Sequence, residues 1–362
     1  MKTQTLLQLY VFAAAMTLSF AAHSYPGESI SLDPVSGNYN ITYWNESMEP
    51  RALETTVFVP ATKIDPAIRS GFLLEHDGKI VYRYTVSSGK QSKQTLILII
   101  LDPVNSVIGT SNNRGMKVGT AADTAARMAV LKANEAALAS PVGWSGDVEF
   151  RVQGHEDGSV RVGWNASVEH STGLKSGGTI NGFGFSSYAL PGIISAELSG
   201  DSPVHGWSGE GPGEDSAIYQ QIRQIQANDF VPRNAAVPTI AVPEPFDPAV
   251  TLERIQTHMH TWIAMQLLDP AFSAQLDRYF QSAISAYRLN QPKVGKKQIQ
   301  TMRELLKKEH ANADREDGND DRVEKGDRDD KNKRALIDKL AARVLDFNLK
   351  YVTKRMGGDK DD

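Results

Sequence analysis

Residues 237–262 read VPTIAVPEPFDPAVTLERIQTHMHTW, and the apolar repeat changes within them. Before Phe246 the chain is proline-punctuated and extended. After Asp247-Pro248-Ala249, the residues Leu252, Ile255, Met259 and Trp262 step by three and four, which is one face of a helix. Upstream the dominant repeat is every second residue, the signature of half-buried strands. The switch predicts an α+β multidomain chain. An antiparallel β-sandwich with one inserted helix comes first, and a small C-terminal α-helical bundle follows.

The helical pattern recurs to the end of the chain. Asp269-Pro270-Ala271 repeats the start signal of Asp247-Pro248-Ala249, an Asp cap with proline in the first turn. Leu276, Phe280, Ala283 and Tyr287 stripe the second helix. Ile299, Met302 and Leu306 stripe a third, over Lys297 to His310. Ile337, Leu340, Val344, Phe347 and Tyr351 stripe the last. Each single stripe must be buried on another element, and a bundle over 248–355 is the expected solution. Between the last two helices, residues 314–334 hold nine acidic and seven basic side chains, with Val323 the only apolar one. Such a segment cannot offset the entropy of ordering and is expected to be a mobile, disordered loop.

Ahead of the switch, residues 28–230 are expected to form the sandwich domain, joined to the helices by a Pro-rich linker over 231–247. Val237, Ile240 and Val242 favour a linker docked on the protein surface. Phe72-Leu73-Leu74 and Ile80 to Val86 flank His76-Asp77-Gly78-Lys79, a hairpin signal. Ile80, Tyr82, Tyr84 and Val86 share one face of the second arm. Leu96 to Leu101 is an unbroken apolar run ended by Asp102-Pro103, fit for a strand covered on both sides. A second hairpin carries Val148 and Phe150 on one arm and Val160, Val162 and Trp164 on the other. In Gly182-Phe183-Gly184-Phe185 the glycines share a face, which implies close approach of another backbone or ring. The inserted helix covers about 120–138. It opens on Thr120-Ala121-Ala122-Asp123, a capping-box variant, and is expected to pack through Met128, Leu131 and Leu138.

Tyr82-x-Tyr84-x-Val86, Pro141-x-Gly143-Trp144, Gly182 to Ser187 and Pro191-Gly192 together resemble a β-sandwich module of uncharacterised exported bacterial proteins. The helical tail is similar to the C-terminal helical region of some of them. The resemblance implies a fold and an extracytoplasmic location and carries no catalytic residue over. The helix at 119–138 departs from the plain sandwich pattern.

The N-terminus supports export. Lys2 precedes an apolar stretch from Leu6 to Ala22, and small residues offer cleavage after Ala21 or Ser24, so residues 1–24 read as a signal peptide. A secreted or periplasmic protein with no transmembrane segment in its mature chain is expected. The 362 residues contain no Cys, which removes disulfides, thiol chemistry and Cys-based zinc sites together. With 39 basic against 43 acidic residues and a net charge of −4, nucleic acid is not an expected partner.

No catalytic constellation is legible, and neither metal nor cofactor is expected. Before Gly318 the EF-hand positions would hold Ala313, Arg315 and Asp317, and before Gly326 they would hold Asp321, Val323 and Lys325; neither set fits. His258 and His260 lie two apart on a helix and face different ways. Gly143-Trp144-Ser145-Gly146 and Gly206-Trp207-Ser208-Gly209 lack the last glycine of a nucleophile elbow. The one exposed-looking cluster is His205, Trp207, Glu210 and Asp215, in a Gly/Pro-rich loop. It is the candidate ligand-binding set, for a glycan, a peptide or an envelope component. The expected function is therefore an exported, non-catalytic binding or structural protein. The rival is an extracytoplasmic glycan or ester hydrolase using dispersed carboxylates such as Glu210 and Asp215.

Overall fold

A computed structural model of the protein describes residues 25–47, 50–112, 116, 119–150, 159–166, 173–202, 211–317 and 335–357. The fold is mixed α+β, with three antiparallel sheets and six helices among the described residues. None of these helices is long and apolar enough to cross a membrane. The chain divides into two compact units that interleave in sequence. One takes the residues up to Ile64 with Ser199–Val231, and the other takes Asp65–Leu198 with Pro232 onward. The stretch 28–230 is thus shared between them.

In the first unit, β1 (Ser29–Leu32), β2 (Tyr39–Asn45) and β3 (Ala52–Phe58) form a three-stranded sheet in that order. The register pairs Thr42 with Ser29 on one side and Thr55 on the other. Ile41, Tyr43 and Phe58 point to the inner face, where helix α2 (Ala217–Ala227) covers them with Ile218 and Ile222. Ser216 caps that helix by accepting from the Ile218 and Tyr219 N–H groups. The sequence reading contains no helix here. It expected a single insertion in a strand-rich region, although Ile218, Ile222 and Ile225 have helical spacing behind a Ser cap. The helix expected as an insertion is α1 (Ala121–Ala136), and it belongs to the second unit.

In the second unit, β4 (Pro66–Leu74) and β5 (Ile80–Ser88) form the expected hairpin. Glu75 N–H donates to Lys79 O at 2.8 Å, and Gly78 sits at φ 85°, where L side chains are strained. The third strand of this sheet is β9 (Thr179–Ser187), which pairs with β5. Gly184 explains one of the glycines, because a Cβ there would lie 2.4 Å from the Tyr82 carbonyl oxygen. Gly182 falls where the register shifts, at φ 104°.

The five-stranded sheet runs β11-β10-β6-β8-β7, from Val231–Ile240, Leu190–Gly200, Leu96–Val104, Val160–Ala166 and Trp144–Glu149. The apolar run lies in its middle strand, with Leu96, Ile99, Ile100 and Leu101 buried but Ile97 and Leu98 only half-buried. It does not stop at Asp102-Pro103, because the proline falls in a register shift between Leu101 and Val104. Trp164 of β8 meets Tyr84, Phe183 and Phe185 from the other sheet, with ring centroids 5.5–6.2 Å apart. Tyr84 donates to Ala236 O at 3.0 Å and Tyr82 to Ala189 O at 2.8 Å, so both phenols are satisfied inside. Part of the stretch read as a linker, 231–240, is thus the edge strand β11. Its Ala235, Ala236, Val237 and Ile240 are buried.

Helix α1 has the predicted capping box, with Asp123 N–H bonded to Thr120 Oγ1 at 3.1 Å. Its packing meets the expectation in part: Leu138, just past its end, is buried against Gly146 of β7, and Leu131 is half-buried. Met128 is 48% exposed, and Asn134 is the one buried residue of the helix. An Ala-rich run has propensity for a helix but little apolar area to bury. A polar contact adds to the attachment: Ser111 N–H donates to Asn134 Oδ1 at 2.8 Å, and Asn134 Nδ2 donates to Ser111 O at 3.0 Å.

The last four helices are α3 (Pro248–Ala264), α4 (Pro270–Arg288), α5 (Pro292–Asp317) and α6 (Lys339–Arg355). Asp247 and Asp269 cap α3 and α4 as read, each accepting two N–H bonds at 2.8 and 3.1 Å. α3 packs on α4 and α6, and α5 packs on α4 and α6. α5 continues through Asp317, into the segment expected to be a loop; residues 318–334 lie outside the described residues. α6 buries more than the single stripe expected. Leu345, Asn348, Leu349 and Val352 are covered as well, while Leu340 and Phe347 are half-buried. The cause is a second contact: Asn348 Nδ2 donates to Pro191 O at 2.8 Å, and Phe347 meets Phe72 edge-on at 4.9 Å. The helical tail therefore docks on the strands of its own unit.

Candidate functional site

Of the four residues singled out in sequence, His205, Trp207 and Glu210 lie outside the described residues, as do Ser208 and residues 1–24. Asp215 is exposed in the turn before α2. Its Oδ2 accepts from the Tyr25 hydroxyl at 3.2 Å. That hydrogen bond, and then the carboxylate's charge, raises the pKa of the Tyr25 phenol. The neighbouring acids are used structurally. Glu28 accepts from Ser216 Oγ at 3.3 Å, and Glu46 pairs with Arg51 at 2.5 Å. These contacts fasten residues 25–28 and 211–216 to the sheet.

The broader concavity of this unit lies on the other side of α2. A pocket of about 630 Å³ opens where β1 and the start of β2 meet the C-terminal half of that helix. Ile30, Leu32, Tyr39 and Ile225 supply its apolar part, and Gln221, Gln224 and Asn228 supply amides. Local structure places them. Ile225 continues the stripe that packs on the sheet, so Gln221 and Gln224, beside that stripe, reach the rim. Tyr39 rests its ring against Phe58, with centroids 6.1 Å apart. The Tyr39 hydroxyl and the side chains of Gln221 and Gln224 make no hydrogen bond to another described residue, so they are free to meet a ligand.

Asp229 closes the pocket floor. Its Oδ2 accepts from Ala61 N–H at 2.7 Å, and Thr62 bonds the same carboxyl through its backbone and its hydroxyl. Burial raises its pKa, and those hydrogen bonds pull the other way. The carboxyl thus pins the 60–62 turn and is the one acid among the described residues of the lining.

The other groups weighed in sequence are spoken for. His258 is half-buried, and its Nε2 accepts the Ile193 N–H at 2.9 Å, which fixes the imidazole as neutral. Burial pushes its pKa down to about 4. A Cβ on Gly192 would strike the ring at 2.1 Å, so the glycine makes the approach possible. His260 instead faces Asp277, at 2.8 Å. Ser145 sits mid-strand in β7 and not in an elbow. Among the described residues no group of three His, Asp or Glu side chains could hold a metal ion.

The pocket escaped sequence reading because α2 did. Its one local signal is the Ser216 cap followed by Ile218, Ile222 and Ile225. Compared with known proteins, the chain matches no family model, no curated protein and no solved structure.

Proposed function

We propose that this is an exported, non-catalytic binding protein that works in the periplasm or outside the cell. Its first unit takes a neutral ligand that has both hydroxyl or amide groups and an apolar face, as an oligosaccharide does. The observation that carries this reading is the pocket beside α2, where unspent amides and a phenol stand next to Ile30, Leu32 and Ile225. In the same reading the two sheets of the second unit form a sandwich. Helices α3–α6 form a small bundle, and together they serve as the scaffold. The leader-like residues 1–24 support export.

Calorimetric titration of the protein with a panel of neutral tri- and tetrasaccharides tests the pocket. At least one should bind, and Gln224→Ala and Tyr39→Phe should each weaken it by about three- to tenfold, the worth of one hydrogen bond. A silent panel, or variants that bind as the parent does, would sink the reading; a peptide library that binds instead would move it to peptides. N-terminal sequencing of the exported protein should begin after Ala21 or Ser24, and an uncleaved chain would remove the export claim.

A further inference from the structure

The outer face of the first unit's sheet lies opposite the face that α2 covers. Along β2 the outward residues are Asn40, Thr42 and Trp44, and β3 sets Val57, Thr55 and Leu53 beside them. On β1, serines stand opposite Thr42 and Asn40. No residue of this face is charged. The chain as a whole is 23% charged, so a face of eight residues would carry about two ionic side chains at that rate. The only charged residue of the three strands is Glu54, and it turns inward, accepting from the Tyr43 hydroxyl at 3.1 Å and Asn45 Nδ2 at 2.9 Å.

The face is also pre-organised. Thr42 Oγ1 and Thr55 Oγ1 are 3.0 Å apart and share one hydrogen bond, leaving further donor and acceptor capacity outward. Trp44 spends its indole N–H on Pro26 O at 2.9 Å, which fixes the ring and leaves its π surface as the remaining means of contact. Leu53 is 43% exposed beside it and packs against Gly27, where a Cβ would lie 2.8 Å from its Cδ1. Successive outward residues on a strand are about 6.5 Å apart, comparable to a sugar ring.

The geometry points to a platform for a neutral polysaccharide chain, stacked on Trp44 and hydrogen-bonded by Asn40, Thr42 and Thr55. A charged polymer finds no counter-charge here, and a membrane surface would strip the hydroxyls of water without replacing it. The platform is separate from the pocket beside α2, and either can fail without the other.

Native affinity electrophoresis of the full chain tests it. The gels hold hydroxyethylcellulose, mixed-linkage β-glucan, galactomannan or glycogen, with alginate and polymer-free gels as controls. Migration should slow in at least one neutral gel, and Trp44→Ala and Thr55→Lys should weaken that retardation by about tenfold or more. Gln224→Ala separates the two sites: retardation that survives it and falls in Trp44→Ala belongs to the platform, and retardation lost in Gln224→Ala but not in Trp44→Ala would overturn the platform. Thr55→Lys changes an exposed strand position and decides the matter should Trp44→Ala fold poorly. Retardation in no neutral gel, stronger retardation in alginate, or unaffected variants would overturn the platform. So would a dimer in sedimentation velocity that Thr55→Lys dissolves, because the face would then belong to a second copy of the chain.

Discussion

Tyr82 and Tyr84 in the second unit and Tyr39 in the first are the same side chain in opposite employment. The first two are buried, and their hydroxyls donate to Ala189 O and Ala236 O. Tyr39 buries part of its ring on Phe58 and leaves its hydroxyl at a pocket rim. Amides divide the same way. Asn348 and Asn134 bond to main-chain groups inside the second unit, whereas Gln221 and Gln224 of the first have no described partner. Pairing inside the second unit is incomplete, since Trp144 Nε1, Trp262 Nε1 and Asn348 Oδ1 are buried without a hydrogen bond among the described residues, whereas the unpaired groups of the first unit stand in the open. In the proposed reading, these exposed and unpaired groups make the first unit the surface that meets ligands, with the second unit as its scaffold.

The sharpest way to break that contrast is to damage the scaffold alone. Trp164 joins the two sheets of the second unit through Tyr84, Phe183 and Phe185, and donates to Ala139 O at 3.1 Å. Trp164→Ala should cost about 3–5 kcal/mol in urea unfolding, the range for a large buried aromatic. Under native conditions, oligosaccharide affinity at the pocket should be retained. A cost below about 1 kcal/mol would mean that the aromatic cluster is not the centre of that core.

His258 gives the next effect. Its pKa is held at about 4 against 6.5 when exposed, so between those values the unfolded chain binds more protons than the folded one. Stability is complete above pH 6.5 and is lost as pH falls toward 4, by at most about 3 kcal/mol. His258→Gln can still accept the Ile193 N–H and does not titrate. Unfolding midpoints at pH 7, 5.5 and 4 should therefore fall more for the parent than for the variant. Parallel midpoints would show that the imidazole does not stay neutral in the fold.

Much of the scaffold was legible because its signals are local. Asp-Gly at 77–78 marks a turn, Ile80 to Val86 alternate, and Asp247-Pro248 and Asp269-Pro270 announce helices, each within a few residues. What escaped depends on distant partners. β5 pairs with β9 about a hundred residues later, and Leu345 and Leu349 are buried because a helix stripe meets both helices and strands. Met128 misled for a related reason, since an apolar residue on an Ala-rich helix has no local sign of whether anything covers it. The pocket was illegible as a motif, because residues 30–39 and 221–229 form it jointly and neither segment alone looks like a site. The cluster around Asp215 was chosen from loop composition, which reports exposure and says little about convergence.

Asp229 lies between the two employments, since its carboxyl is structural yet lines the pocket. Asp229→Ala leaves Ala61 N–H and the Thr62 donors without their acceptor and should cost about 1–2 kcal/mol in the first unit. Asp229→Asn keeps one acceptor oxygen and should cost less. The two should also differ from the parent in pH dependence. Burial raises the carboxyl's pKa, so the folded state holds its proton where the unfolded state has released it. Parent stability should therefore fall, relative to Asp229→Asn, as pH rises from the ordinary carboxylate value through the raised one. Equal pH slopes would mean that solvent reaches the carboxyl freely. If Asp229→Asn keeps both its fold and its oligosaccharide affinity, Asp229 fastens the 60–62 turn and the amides of α2 do the recognising; a selective loss of affinity would place the carboxylate in contact with the ligand.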